Sequence, residues 1–219
     1  MPSENPIRDP VKDKLLTPKN SAFIIIDYQP VQVQSIASMD RQELINNIVS
    51  VSKAALLYKL PIVHSTVNVQ TGYNKPPVAQ VANALAGIPT IDRTSINSWE
   101  DVEFQKAVKA TGRKKLIMTA LWTEACLAFP TEDLLALGYE VYIPVDAVGG
   151  TSLVAHDAAL RRLEQAGAKL TSCAQVFCEL QRDWARTDTA EGFADLFIGK
   201  GGTAGLQFGW DKAERQKQK

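Results

Sequence analysis

The run Ala22-Phe23-Ile24-Ile25-Ile26-Asp27-Tyr28-Gln29 decides how this chain is read. Apolar residues without polar alternation, three of them isoleucine, describe a strand covered on both faces, as in parallel sheets flanked by helices. The run ends on Asp27, a carboxylate that costs desolvation there unless it has a partner. No glycine follows it. A dinucleotide fold needs its glycine-rich turn at this point to bring a pyrophosphate against the backbone, so the sequence argues against a Rossmann dehydrogenase, and the P-loop pattern is absent as well.

Working outward, short β-branched runs alternate with longer amphipathic ones. The strands predicted are Ala22 to Asp27, Pro61 to Val67, Pro89 to Arg93, Lys114 to Ala120, Glu140 to Asp146 and Ala168 to Cys173. Between the first two, Asp40 can cap a helix in which Leu44, Ile48, Val51 and Ala55 recur at helical spacing and which closes near Lys59, before Pro61. A further helix opens at Ser98, with Asp101 at capping-box spacing, and stops at Thr111-Gly112. Others cover Glu124 to Leu137, Ser152 to Ala166 and Gln175 to Trp184. These βαβ units imply a single-domain α/β fold: a doubly wound, Rossmann-like six-stranded parallel sheet of order 3-2-1-4-5-6, with helices on both faces. Residues 1–20 read as an N-terminal arm over the surface, 21–200 as the domain, and 201–219 as a C-terminal tail ending in a polar, mostly basic stretch.

Composition bounds the function. The 219 residues are 45% hydrophobic and 22% charged, and 24 Lys and Arg balance 24 Asp and Glu, which argues against disorder and against a basic nucleic-acid surface. No apolar run approaches the roughly 18 residues of a membrane span, and the opening Met-Pro-Ser-Glu-Asn does not read as a signal peptide. Cysteines at 126, 173 and 178 lack CxxC spacing, so neither a disulfide scaffold nor a structural zinc site is expected; a reducing, cytoplasmic setting fits.

In a doubly wound sheet, ligands sit beyond the strand carboxyl ends where the strand order reverses, here between strands one and four. Strand one delivers Asp27. Strand four runs into Leu121-Trp122-Thr123-Glu124-Ala125-Cys126, which places Cys126 in the first turn of a helix, where the dipole and unpaired N–H groups favour thiolate and could hold an oxyanion. A carboxylate alone would push the thiol pKa up, so a cation is required, and Arg93 at the end of strand three is the candidate. It starts roughly 10 Å away at about 4.8 Å per strand, within reach of a long side chain. Its guanidinium stays protonated, so its role is electrostatic. Asn97, Trp99 and Trp122 lie close to these strand ends and are the expected substrate contacts, an aromatic wall with one amide handle. His64, His156, Asp146, Cys173 and Cys178 read first as structural: Cys173 closes a strand, and Cys178 shares an apolar helical face with Val176 and Leu180.

These residues resemble the isochorismatase-like cysteine hydrolases, and within them the YcaC-type branch. The matching pieces are Ile26-Asp27, Arg93 to Trp99, Lys106 to Gly112, Thr123-Glu124-Ala125-Cys126 and Cys178 to Trp184, so the likeness runs from about Ala22 to Trp184. The resemblance implies a catalytic triad of Asp27, Arg93 and Cys126, a non-proline cis peptide at Leu121-Trp122, and an oxyanion hole made by the backbone N–H groups of Trp122 and Cys126. It implies a small-molecule amide-like or related carbonyl substrate, a Cys thioester intermediate and a homo-oligomer, with an octamer as the candidate state. Arginine at position 93 is similar to the YcaC-type branch, whereas most of the superfamily carries lysine there. The nicotinamidase metal motif finds no match around His64-Ser65-Thr66-Val67, so neither metal nor cofactor is expected. Two alternatives stand beside the hydrolase: a small-molecule binding or scaffold protein that keeps the fold without turnover, and a thiol redox sensor using Cys126.

Overall fold

A computed structural model describes residues 8–217; the opening Met1 to Asn5, read as no signal peptide, lies outside the described residues. Six strands, β1 (Ser21–Ile26), β2 (Ile62–Val67), β3 (Thr90–Arg93), β4 (Lys115–Ala120), β5 (Glu140–Pro144) and β6 (Lys169–Thr171), form one sheet in the order β3-β2-β1-β4-β5-β6. Every pairing is parallel. This is the expected doubly wound α/β fold.

The unbroken apolar character of β1 follows from its position. Phe23 and Ile25 point into one core, with α2 (Arg41–Leu57), α7 (Cys173–Gln181) and α8 (Thr187–Lys200), while Ala22, Ile24 and Ile26 point into the other, with α4 (Val102–Ala110), α5 (Ala128–Ala136) and α6 (Leu153–Gln165). Each of the four large side chains of β1 is fully buried, and each such burial stabilises by roughly 1.5–3 kcal/mol. Two short helices, α1 (Pro30–Gln34) and α3 (Ala79–Ala84), follow β1 and β2, and α9 (Gly202–Lys217) packs on α8. No described helix is long and apolar enough to cross a membrane.

Helix α2 begins as expected, with the Asp40 side chain accepting from the Glu43 N–H at 2.8 Å. Helix α4 does not. Ser98–Glu100 form a separate 3-10 turn capped by Asn97, and Asp101 is itself the cap of α4, accepting from the Phe104 N–H at 2.8 Å. The expected stop holds: Gly112 sits at φ 64°, the left-handed region where glycine carries no steric penalty. At the other end of the chain, α7 ends at Gln181 and not at Trp184, and Cys173 opens this helix instead of closing a strand. Cys178 is exposed. The stretch read as a tail is helical through Lys217, held by Phe208 stacked on Phe197 at 4.7 Å between ring centroids.

The arm is likewise more than a surface strap. Leu16 is fully buried in the α2 core, and the Lys115 ammonium donates to the carbonyls of Asp13, Lys14 and Leu15 at 2.7, 2.6 and 3.3 Å. A buried ammonium must be satisfied. The arm's carbonyls do this, tying residues 13–15 to the first residue of β4.

Candidate active site

The parallel sheet brings three strand ends together on one side. Asp27 is the first residue past β1, Arg93 the last of β3, and Cys126 lies in the turn Thr123–Leu127 that links β4 to α5. Asp27 takes φ 63°, a left-handed conformation that aspartate tolerates better than most residues. There its N–H donates to the Ser65 carbonyl at 3.0 Å and its carbonyl accepts from the Gln29 N–H at 2.8 Å. This tight turn aims the carboxylate along the sheet edge instead of continuing the strand.

Arg93 crosses behind β2 to meet it. Nη1 donates to Asp27 Oδ1 at 2.8 Å and Nη2 to Oδ2 at 2.7 Å, a bidentate pair with both side chains at 0% exposure. The guanidinium is held in turn by Ser65 Oγ and the Thr66 carbonyl, each 3.1 Å from Nη1, and by the Ile96 carbonyl at 3.3 Å from Nη2. Its Nε is buried without an acceptor. Burial pulls the Arg93 pKa down, but hydrogen bonding and charge from Asp27 outweigh it and the net shift is upward. The expected reach across two strands is met, and the partner is Asp27, not the neighbouring Asp92, whose carboxylate accepts from Thr66, Val69 and Gln70.

Cys126 lies 7% exposed, with the Asp27 carboxylate close enough to act on its thiol. Its pKa is pushed up to about 12, first by burial and then by the charge and hydrogen bond of Asp27; Arg93 and the Trp122 backbone oppose the rise without reversing it. The resting side chain is therefore a neutral thiol. This corrects the expectation of a thiolate drawn from the first-turn position: burial beside a carboxylate outweighs Arg93 and the Trp122 backbone.

The turn that carries Cys126 is preceded by a cis peptide at Leu121-Trp122, where the resemblance placed one. The Trp122 N–H finds no oxygen acceptor among the described residues. The Trp122 indole is directed away, toward α1, with Nε1 donating to Ser35 Oγ at 2.6 Å. Trp99 is buried, edge-on to Tyr139 with centroids 6.3 Å apart, in the same core as Cys126. Asn97 does not offer the free amide handle expected of it, because Oδ1 accepts from the Trp99 N–H at 3.0 Å and Nδ2 donates to Asp133 at 2.8 Å. Capping the 3-10 turn takes one end of its side chain and Asp133 the other.

Several residues of this site were not singled out from the sequence. Ser65 and Thr66 build the guanidinium cradle, Ser35 anchors the Trp122 ring, and Thr123 meets His156 across 2.8 Å. The one available signal was the polar run His64-Ser65-Thr66 inside β2. Among the described residues no cluster of three or more His, Cys, Asp or Glu is placed to hold a metal ion.

A doubly wound α/β protein with carboxylate, guanidinium and thiol packed at its switch point is the class that fold and site define. Residues 21–175 match the model of the isochorismatase domain, and the chain belongs to that family. It is 36% identical over 183 residues to "Probable hydrolase YcaC" of Escherichia coli, covering 83% of this chain and 86% of that protein. The crystal structure of E. coli YcaC, described as an octameric hydrolase of unknown specificity, superposes with TM-score 0.83 at 32% identity over 92% of this chain and 98% of that one. YcaC from Pseudomonas aeruginosa, solved with hexane-2,5-diol and covalent acrylamide, gives 0.84 at 32% identity over 91% and 98%.

Proposed function

We propose that this protein is a cysteine hydrolase that cleaves a small amide-like carbonyl substrate through a thioester on Cys126. The observation that carries the reading is the carboxylate between the two other groups: Asp27 is held in both oxygens by Arg93 and lies close enough to the Cys126 thiol to raise its pKa. A thiol with a pKa near 12 needs its proton removed during attack, and a fixed carboxylate in contact with it is the group to do so.

The steps follow. Asp27 takes the thiol proton as sulfur bonds to the carbonyl carbon, and the oxygen that gains charge is met by the Trp122 and Cys126 N–H groups. Protonated Asp27 then gives that proton to the leaving nitrogen, the C–N bond breaks, and the thioester remains. Water attacks the thioester carbon while Asp27 takes its proton; the C–S bond breaks and the proton returns to sulfur. One water is consumed, and acid and amine are released. Arg93 transfers no proton; it fixes Asp27 so that one carboxylate serves both half-reactions. No step requires a metal or cofactor.

The covalent acrylamide on the Pseudomonas relative supports a reactive group in this family. The octameric E. coli relative supports a homo-octamer, which light scattering on the purified protein tests. The catalytic unit is assigned to residues 21–200, and three unpaired cysteines favour work in the reducing cytoplasm. The test of function is intact-mass trapping with p-nitrophenyl acetate. An acetyl adduct that maps to Cys126, disappears in Cys126→Ala and is not hydrolysed in Asp27→Asn is the expected result; ligand binding without any adduct sinks the hydrolase in favour of the binding-protein reading.

A further inference from the structure

The turn that carries Cys126 is clamped from the side opposite Asp27 by groups the mechanism does not use. Thr123, fully buried, donates its N–H to the Gly149 carbonyl at 2.9 Å, and its hydroxyl lies 2.8 Å from His156 Nδ1 on α6. Glu124 reaches the same loop: Oε1 accepts from the Thr151 N–H at 2.9 Å and from the Thr151 hydroxyl at 2.6 Å. Its other oxygen, Oε2, is shielded from solvent without a partner. Between them lies Gly150, where a Cβ would come within 2.7 Å of Glu124 Oε2 and 2.9 Å of His156 Cβ. Glycine lets the loop sit against both the Glu124 carboxylate and the start of the His156 side chain. The loop is stitched onward to the segment after α1, through the Gly150 N–H to Ser38 Oγ at 2.9 Å and the Ala37 N–H to the Gly150 carbonyl at 3.1 Å.

We propose that His156 is a positioning residue for the nucleophile: through Thr123 it fixes the Thr123–Cys126 turn, so that Cys126 reaches its working geometry only while this bond is intact. The inference rests on the hydrolase reading and adds a pH response to the same site. Burial lowers the His156 pKa, opposed by the charges of Asp157 on its own helix and Glu124 on the turn, so the imidazole is neutral near pH 7. Its protonation fixes both ring nitrogens as donors. An arrangement in which the Thr123 hydroxyl donates to Nδ1 is then lost, and a cation is buried beside the turn.

The experiment compares wild type, His156→Asn, His156→Leu and Thr123→Val. Asparagine places an amide where Nδ1 sits but does not titrate. Acylation of Cys126 by p-nitrophenyl acetate is followed from about pH 7 to about pH 5, and alkylation by iodoacetamide near pH 9 is mapped by mass spectrometry. His156→Leu and Thr123→Val are expected to slow acylation about tenfold or more and, by loosening the turn, to speed alkylation of the nearly buried thiol. His156→Asn restores most of the acylation rate and flattens the part of the acid limb that His156 contributes. Uniform slowing of both reactions, or the wild-type pH profile in His156→Asn, overturns the proposal. If wild type forms no acyl-enzyme, the hydrolase reading has failed, and the alkylation arm decides the positioning role by itself: equal rates across the series refute it.

Discussion

Replacing Arg93 by methionine tests whether the Asp27 pair acts as one unit. The substitution keeps an unbranched chain and removes the fork, leaving a carboxylate at 0% exposure facing apolar surface together with the Thr66 and Ile96 carbonyls. Breaking a buried pair by deleting one partner costs about 3–5 kcal/mol. With an m-value of about 2–3 kcal/mol/M in urea, the midpoint should fall by about 1–2.5 M. The decisive variant is the double, Asp27→Asn with Arg93→Met. Asparagine tolerates the φ of 63° at position 27 and carries no charge, so the double is expected to be more stable than Arg93→Met by about 1–2 kcal/mol although it contains one more change. Urea unfolding followed by tryptophan fluorescence, with m-values compared across the cycle, reads this directly. A double variant no more stable than Arg93→Met, or an Arg93→Met loss below about 1 kcal/mol, would refute the argument that a buried charge has been stranded.

The same carboxylate separates thiol reactivity from turnover. Asp27→Asn removes a charge that raises the Cys126 pKa, so iodoacetamide should label Cys126 faster at pH 8 to 9 while hydrolysis is lost; slower labelling counts against the electrostatic assignment. His64 is buried against Thr90, and burial pulls its pKa down to about 4. Between that value and the unfolded value of about 6.5 the unfolded chain binds the extra proton, so stability is intact above this window and falls through it on acidification, by about 3 kcal/mol in full. His64→Asn should flatten that slope in urea titrations at stepped pH. Lys115→Met removes the charged donor from the arm carbonyls and leaves them the neutral donors of Asn20 and Tyr142, which should cost about 1–3 kcal/mol, with proteolytic cleavage appearing between residues 9 and 16; an unchanged cleavage pattern would mean that Leu16, Asn20 and Tyr142 hold the arm without the ammonium.

What the sequence carried, and what it did not, separates along a physical line. Strand order and the meeting of Asp27, Arg93 and Cys126 were legible because both follow from where apolar runs end: a strand buried on two faces must finish on its polar residue at the sheet edge, and the parallel topology puts those edges on one side. The start of α4 was not legible, since Ser98 and Asp101 both have capping chemistry and the choice fell to burial of Trp99, which pulls Ser98–Glu100 into their own turn. Helix α9 was hidden by glycines at 202, 205 and 209, each a poor helix former, and it exists because Phe208 stacks on Phe197 across a separation in sequence that no local pattern spans. The thiol state of Cys126 failed for the same reason, since a first-turn position can be read locally, whereas burial beside Asp27 is a tertiary fact. That failure matters for mechanism. A preformed thiolate would need only a guanidinium beside it, but a neutral thiol needs a base, and the bidentate pair leaves Arg93 holding both oxygens of the one carboxylate that the thiol touches. In the proposed mechanism the arginine therefore acts at one remove, by fixing the base, and a lysine at position 93, with a single point of attachment, would hold the charge of Asp27 without fixing the plane of its carboxylate.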